Sequence, residues 1–169
     1  MVDDPRQDTL TDLTRLDRLR SYDILDTARE PVFDRFAFIV AQAFRAPIAM
    51  LNLIDADRQW SKAFTGSIPQ QVPIALSFCA RTVASGTPVI VEDATRDDRF
   101  RHNPLVTGPP HVRFYAGVPL IAYDGSRIGA LCAFDHTPRT PLPKQIWNMV
   151  QLAREVMDII EARRFTSGA

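Results

Sequence analysis

The stretch that decides the fold is VRFYAGVPLIAYDGSRIGALCAFD at residues 112–135. Its Asp-Gly pair lies between two apolar runs and predicts a β-hairpin, because a tight hairpin turn requires positive φ angles. A two-residue turn at this pair places Val118 opposite Leu131 and Leu120 opposite Gly129. The sequence therefore predicts two long antiparallel strands around which the other elements are arranged.

Both faces of this hairpin are apolar. Alternation places Phe114 and Leu120 on one face and Tyr115, Ile128 and Cys132 on the other. Because neither face is polar, both must be covered, and the two strands belong at the centre of a sheet. The pattern predicts an α/β domain of the α+β type, in which helices cover both faces of a central antiparallel sheet.

The composition is that of an ordinary globular domain. The chain has 169 residues, of which 46% are hydrophobic and 24% charged, which suits a single core. Twenty basic and twenty acidic residues give a formal net charge of zero, so nothing favours nucleic acid or an anionic membrane as a partner. The chain has no apolar run long enough to span a bilayer, and its polar N-terminus does not resemble a signal peptide. We therefore expect a cytoplasmic protein.

Apolar periodicity predicts the other elements. The expected helices lie at 9–22, 31–46, 77–86 and 142–164, and the further strands at 48–55, 59–65 and 88–91. Ser77 is a good N-cap for the third helix, and Gly86 is placed to end it. Pro88 predicts that the strand at 88–91 lies at the edge of the sheet. The helix at 142–164 has the strongest periodicity and predicts either packing across the sheet or contact with a partner.

The chain divides into three predicted parts. Residues 1–26 form an N-terminal helical segment, residues 27–141 form the core, and residues 142–169 form an amphipathic helix with a short tail. A narrow leucine stripe in the first part allows that helix to dock on the domain or to pair with a second copy. The polar stretch at 92–111, called the flap below, is long enough to be a functional loop.

Seven short motifs occur in a fixed order along the chain. They are ILDT at 24–27, DRQW at 57–60 with Lys62, SFCA at 77–80, Asp93 with DRF at 98–100, PLV at 104–106, RFYAGVPL at 113–120, and IGALC at 128–132 closing on Asp135. Together they resemble GAF domains, in particular the subgroup found beside bacterial histidine kinases and diguanylate cyclases. The resemblance covers nearly the whole chain, from about residue 16 to about residue 165.

The resemblance implies a fold and a role. The expected fold has an antiparallel sheet of five to six strands, with helices on one face and a pocket of loops and short helices on the other. The expected role is a non-catalytic sensory or regulatory domain, not an enzyme, which binds an unidentified small molecule and forms a homodimer through its terminal helices. No kinase, cyclase or phosphodiesterase motif is visible, so a kinase or cyclase on another polypeptide is the candidate partner.

Several residues are candidates for ligand binding, each with a structural alternative. Asn52 interrupts an apolar strand and needs hydrogen-bond partners, which a ligand or loop backbone could supply. Trp60 and Lys62 are expected to share one side of a strand with Phe64, where they hold a planar or anionic ligand or shield an outer strand. The hydroxyl of Tyr115 requires a partner if it is buried.

The flap supplies further candidates. Arg99 could grip a carboxylate or phosphate, or form an ion pair within the flap. Phe100 could line a pocket or anchor the flap to the core. The full set of candidate ligand-binding residues is Asn52, Trp60, Lys62, Phe78, Cys79, Asp93, Arg99, Phe100 and Tyr115. No catalytic residue, metal site or cofactor is expected, because the histidines lack the neighbours that metal binding or a triad requires.

Cys79 is the only credible nucleophile. It is expected in the first turn of the Ser77 helix, where the helix dipole lowers the pKa of a thiol. It falls near a cysteine of the free-methionine-sulfoxide reductases, which are catalytic GAF domains. Those enzymes need a further cysteine in the flap, where this chain has Asp97, Asp98 and Arg99. Cys132, in mid-strand, is expected to be a small core residue.

Three functions follow as hypotheses. The first is the sensory domain described above. The second is a thiol-dependent enzyme similar to the free-methionine-sulfoxide reductases, with Cys79 as the nucleophile. The third is a purely structural dimerisation module in which Trp60, Phe78, Phe100 and Tyr115 fill the pocket. The sequence does not identify a ligand or a downstream partner.

Overall fold

The structure, a computed structural model, describes the backbone of residues 5–166 and the side chains of residues 8–164. The helices are α1 (Pro5–Leu10), α2 (Leu13–Ser21), α3 (Pro31–Phe44), α4 (Phe78–Ser85), α5 (Pro104–Thr107) and α6 (Pro143–Thr166). The strands are β1 (Ile48–Ile54), β2 (Arg58–Phe64), β3 (Gln71–Pro73), β4 (Val89–Val91), β5 (Phe114–Ile121) and β6 (Arg127–Asp135). Residues 1–4 of the predicted N-terminal segment and 167–169 of the predicted tail lie outside the described residues.

The strands form one six-stranded antiparallel sheet in the order β3-β2-β1-β6-β5-β4. The β5–β6 hairpin and β1 occupy its centre, and β4 lies at one edge beside Pro88, as predicted. The sequence pattern gave no sign of β3, since a three-residue strand is too short to show alternation. The α+β sheet architecture predicted from the hairpin is confirmed.

The hairpin register is also confirmed, although its turn differs from the prediction. Val118 lies opposite Leu131 and Leu120 opposite Gly129. The loop has three residues instead of two, because the Ala122 N–H bonds the Ser126 carbonyl and Gly125 takes a φ of 88°. A three-residue loop of this kind places glycine in the left-handed region. One extra residue in β6 then restores the predicted register.

That extra residue is Ile128, and the prediction of its side was wrong. A β-bulge near the turn shifts the pairing between Leu120 and Ile121. Ile128 therefore packs with Phe114 and Leu120 against the helices, rather than with Tyr115 on the other face. A bulge reverses the side on which a residue lies because it interrupts the two-residue period of the strand.

Both faces of the sheet are covered by apolar layers. On one face, the helix face, α3 and α6 pack over Leu51, Phe114 and Leu131. On the other, the flap face, α4 and residues of the flap pack over Tyr115 and Cys132. Two separate cores result, one on each side of the sheet, and the candidate site lies in the second.

The N-terminal prediction needs a correction, because two helices replace the single one expected. The carboxylate of Asp12 accepts hydrogen bonds from the backbone N–H groups of Thr14 and Arg15, so it caps α2 and separates it from α1. Leu16 is buried, but Leu13 is 73% exposed and does not join the stripe. An Asp at the N-cap satisfies free N–H groups of the first turn, which favours a helix start there.

Among the described residues, no helix combines the length and the apolar character that crossing a membrane requires.

Candidate functional site

The centre of the candidate site is the sulfur of Cys79, which α4 delivers to the flap face of the sheet. The Ser77 hydroxyl accepts from the backbone N–H of Ala80 at 3.0 Å and donates to the Gln59 side chain at 2.6 Å. Ser77 therefore caps α4, as predicted, and also ties its first turn to β2. This position places the Cys79 side chain over the central strands, where it is fully buried.

One side chain from each of the three central strands contacts the Cys79 sulfur through a polar atom. The Nδ2 of Asn52 on β1 and the hydroxyl of Tyr115 on β5 each lie 3.3 Å from the Cys79 Sγ. The Sγ of Cys132 on β6 lies 3.5 Å away. These distances fall within the hydrogen-bonding range for sulfur, so Cys79 is held by three partners. The structure thus brings together three predicted residues, Asn52, Cys79 and Tyr115.

Further buried hydroxyls hold two of these donors in place. The Ser61 hydroxyl donates to the Asn52 Oδ1 at 2.6 Å, which leaves the Asn52 amide nitrogen to face the sulfur atoms. The Thr82 hydroxyl lies 2.7 Å from the Tyr115 hydroxyl. Strand β5 also requires glycine at position 117, because a Cβ there would lie 2.0 Å from the Tyr115 hydroxyl oxygen. The site is therefore built from both strands and helix.

The two thiols differ in acidity because their partners differ. Burial raises the pKa of Cys79, but hydrogen bonds from Cys132, Tyr115 and Asn52 outweigh it and hold that pKa below its usual value. Burial and the neighbouring Cys79 raise the pKa of Cys132 well above the usual value. Burial likewise raises the pKa of Tyr115. The arrangement therefore makes Cys79 the more acidic of the two thiols.

Aromatic rings cover the sulfur cluster from the flap side. The rings of Phe78 and Phe100 stack with their centroids 4.2 Å apart. Tyr115 lies 5.4 Å from Phe78, and Phe134 lies 5.0 Å from Tyr115. All four rings are buried. The predicted pocket residues Phe78, Phe100 and Tyr115 are therefore in mutual contact, and Phe100 anchors the flap to the core.

Trp60 and Lys62 share one face of β2, as predicted, but it is the helix face, opposite the sulfur cluster, and Phe64 does not share it. The pairing of β1 with β2 shifts by one residue between Leu51 and Asn52, so that Lys62 has no opposite partner. Lys62 keeps the face of Trp60 by ordinary alternation, and the bulge after it sends Phe64 toward the flap face. Trp60 and Lys62 are separated from the sulfur cluster by the sheet itself.

Lys62 is fully buried, and its positive charge is balanced by an ion pair. Its Nζ lies 2.7 Å from a carboxylate oxygen of Glu30 and donates to the Thr27 hydroxyl at 2.7 Å and to the Ala28 carbonyl. Arg163, near the end of α6, forms a two-point ion pair with the same Glu30. The buried lysine is therefore part of a link between β2, the residues before α3, and α6.

A second link holds the same end of α6. Glu161, only 2% exposed, accepts hydrogen bonds from the Tyr22 hydroxyl and from the backbone N–H of Tyr123. Tyr22 follows α2, and Tyr123 is in the hairpin turn. We call the contacts of Glu161 and Arg163 the α6 clamp. It joins the end of α6 to the hairpin turn, to the end of α2 and to the start of α3.

Asp93 and Arg99 form hydrogen bonds and ion pairs with residues of the flap and of the adjacent strand β4. Asp93 accepts from the backbone N–H and hydroxyl of Thr95, and the Thr95 hydroxyl holds the pKa of this carboxyl below its usual value. Arg99 pairs with Asp97 at 2.7 Å and donates to the Ile90 carbonyl. Neither is directed at the sulfur cluster. Their ligand-binding role remains a prediction.

Sequence reasoning missed Cys132, Ser61 and Thr82 as members of the site. The sequence predicts Cys132 as a core residue, and it is fully buried. That prediction did not include its contact with Cys79. Cys132 and Tyr115 lie on the same predicted strand face, and that shared face is the signal that could have placed Cys132 in the site. Ser61 and Thr82 carried no comparable signal.

The sequence model of the GAF domain family matches residues 28–162. A cyclic di-GMP phosphodiesterase of Pseudomonas aeruginosa is 39% identical over 145 residues, which cover 85% of this chain and 25% of that protein. This chain therefore spans about a quarter of the length of that curated relative. The expectation that the chain is not an enzyme is contradicted by this relative, whose name is that of an enzyme.

Solved structures show the same fold. The free methionine-R-sulfoxide reductase of Neisseria meningitidis, in complex with its substrate, has a TM-score of 0.67 at 20% identity over 87% of both chains. The GAF domain of a phosphoenolpyruvate-protein phosphotransferase of Coxiella burnetii has a TM-score of 0.68 at 15% identity, over 95% of this chain and 99% of its own. At these identities the likeness shows the fold alone. Because the family model covers residues 28–162, the chain belongs to the GAF domain family.

Proposed function

We propose that this GAF domain is a signal-transduction domain that regulates cyclic di-GMP turnover by a phosphodiesterase-type output enzyme. The observation that carries the proposal is the 39% identity, over 85% of this chain, with a segment of the Pseudomonas aeruginosa phosphodiesterase. That segment is a quarter of the relative's length, and regulation of the whole enzyme is the role we assign to it. The kinase or cyclase partner remains an alternative prediction.

The α6 clamp could transmit a conformational change in the domain to the end of α6. A change in the hairpin turn or in the segment before α3 alters the contacts of Glu161 or Arg163, and thereby the position in which α6 is held. A regulatory domain acts when its two states differ in contacts that the output domain senses. The 24-residue helix α6 is bound near its end to the hairpin turn, the end of α2 and the start of α3. A change in any of these contacts would therefore reach that end of the helix.

A chimera tests this proposal. This chain replaces the matched segment of the Pseudomonas aeruginosa enzyme, and the chimera is compared with a form from which the segment is deleted. We expect the two proteins to hydrolyse cyclic di-GMP at rates that differ several-fold. Equal rates, with both proteins folded by circular dichroism, would contradict a regulatory role.

The proposal includes a small-molecule ligand and a homodimer. A ligand that enters between flap and sheet must displace Phe100 from its stack on Phe78, so its binding would reorder the flap. The terminal helices carry exposed apolar side chains suited to pairing, because Leu13 on α2 is 73% exposed and Trp147 on α6 is 63% exposed. Exposed apolar residues of this size are candidates for an interface.

A second candidate function is a purely structural dimerisation module. The observation that favours it is the close packing of Phe78, Phe100 and Tyr115, which fills the space expected for a ligand. Native mass spectrometry of the purified chain separates the two candidates. A dimer with a co-purified small molecule supports the sensor, a dimer without one supports the structural module, and a monomer contradicts both.

The thiol-reductase alternative remains a prediction that the site does not favour. Cys79 is fully buried in the same apolar core as Phe78 and Phe100, whereas a catalytic thiol must reach its substrate. The similarity in fold to the Neisseria meningitidis reductase, at 20% identity, does not change this assignment.

A further inference from the structure

Two buried cysteines on different elements meet at the flap face of the sheet. We propose that Cys79 and Cys132 form a modification site, at which a small hydroperoxide converts the two thiols into a disulfide within the domain. The proposal does not depend on the cyclic di-GMP assignment. It rests on the geometry and the hydrogen bonding of the sulfur cluster.

The first observation is the distance between the sulfur atoms. The two Sγ atoms lie 3.5 Å apart, in van der Waals contact, and a disulfide requires about 2.0 Å. Cys79 is in the first turn of α4, and Cys132 is in the middle of the central strand β6. A disulfide therefore requires the two sulfurs to approach by about 1.5 Å, a movement divided between two side chains that already touch.

The second observation is the asymmetry between the sulfurs. Cys79 receives hydrogen bonds from Asn52 and Tyr115, two donors that Ser61 and Thr82 hold in position. Donors of this kind stabilise a thiolate, which is the nucleophilic form of cysteine. Burial and the adjacent Cys79 raise the pKa of Cys132, so Cys79 is the more acidic of the two. Cys79 is therefore the attacking sulfur and Cys132 the resolving one.

The chemistry balances with one equivalent of hydroperoxide. The Cys79 thiolate attacks the terminal oxygen, so that a sulfur–oxygen bond forms, the oxygen–oxygen bond breaks, and the leaving alkoxide or hydroxide is protonated to alcohol or water. The Cys132 sulfur then attacks the sulfenic acid, the disulfide forms, and the hydroxyl leaves as water with the Cys132 proton. Both sulfurs are oxidised by one electron each, and the hydroperoxide takes up the two electrons.

Burial decides which oxidant can react. Both thiols are fully buried, and the stacked rings of Phe78 and Phe100 lie on the flap side of the cluster. A small uncharged oxidant such as hydrogen peroxide can reach the sulfurs through brief local opening of the flap. Oxidised glutathione is large and charged, and the closed aromatic layer excludes it. The site is therefore selective for small oxidants.

The experiment treats the native chain with hydrogen peroxide and, separately, with oxidised glutathione, and follows intact mass and peptide maps without reduction. With peroxide we expect the mass to fall by about 2 Da and a peptide pair joined through Cys79 and Cys132 to appear. Dithiothreitol should reverse both changes. With glutathione we expect at least tenfold slower reaction. The proposal is overturned if peroxide leaves both thiols free, if Cys79 accumulates oxygen without the cross-link, or if the cross-link joins two chains.

Variants test the assigned roles. In Cys132→Ala, peroxide should produce a sulfenic acid at Cys79 that dimedone traps, whereas in Cys79→Ala we expect Cys132 to remain unmodified. Tyr115→Phe removes one donor and should slow cross-linking several-fold while leaving the far-ultraviolet circular dichroism of the domain unchanged. The reverse labelling pattern would contradict the assignment of Cys79 as the nucleophile. The wild-type cross-link decides the proposal even if a variant fails to fold.

Discussion

At the scale of single residues, the side taken by Phe64 illustrates what a pattern of alternation cannot predict. The two-residue period of a strand predicts Trp60, Lys62 and Phe64 on one side, but a bulge in β2 moves Phe64 to the other side. A bulge depends on how two strands pair, and no property of β2 alone reports it. The burial of a lysine is equally hidden, because it requires Glu30, which is distant in the sequence.

Removal of the buried cation should destabilise the domain. In Lys62→Met, the Thr27 hydroxyl and the Ala28 carbonyl lose their donor, and Glu30 loses one of its two cations. We expect the free energy of unfolding to fall by about 1–3 kcal/mol in urea denaturation. The control is Lys144→Met, at an exposed position of α6, which should change it by less than about 0.5 kcal/mol. Equal effects would show that the Lys62 contacts do not stabilise the fold.

Glu30 should make the free energy of unfolding depend on pH. The two-point ion pair with Arg163, helped by Lys62, lowers the pKa of Glu30 from 4.5 to about 2 against the opposing effect of burial. Its contribution is therefore present above about pH 4.5 and is lost as the pH falls toward 2. We expect Glu30→Gln to lose less stability than the wild type over this interval. Parallel curves for the two proteins would contradict the ion-pair assignment.

At the scale of elements, the sequence predicted most of the structure. The hairpin, the edge strand and the caps of α4 follow from local signals that tertiary packing did not override, since turn residues and N-caps act through their own backbone. The division of 9–22 into two helices was missed, although Asp12 is an N-cap residue. The α6 clamp was missed because its contacts join residues that are distant in the sequence, from 38 positions apart for Tyr123 and Glu161 to 139 for Tyr22 and Glu161.

The clamp should contribute to stability through Glu161. In Glu161→Ala, the buried Tyr22 hydroxyl and the Tyr123 N–H lose their acceptor, which we expect to cost about 2–3 kcal/mol in urea denaturation. Glu161→Gln keeps an acceptor and should lose less. Glu155→Ala, at an exposed position of the same helix, serves as the control and should have little effect. A loss as large in Glu155→Ala would mean that helix propensity, not the clamp, is responsible.

At the scale of the whole molecule, the ordered motifs were enough to predict the GAF family and its antiparallel sheet. They were not enough to predict the state of the pocket. Whether Phe78, Phe100 and Tyr115 surround a ligand or pack on one another depends on how far the flap closes, and the same residues suit both arrangements. The contact between Cys79 and Cys132 likewise arises only when α4 is placed on the sheet.

The central claim is that the domain controls its output enzyme through the α6 clamp. The most direct test is the rate of cyclic di-GMP hydrolysis by the chimera that carries Arg163→Ala, compared with the same chimera carrying Arg154→Ala at an exposed position of α6. The loss of the Glu30 ion pair should change the rate several-fold, and the Arg154 control should match the unmodified chimera. Equal rates in all three folded proteins would contradict the claim.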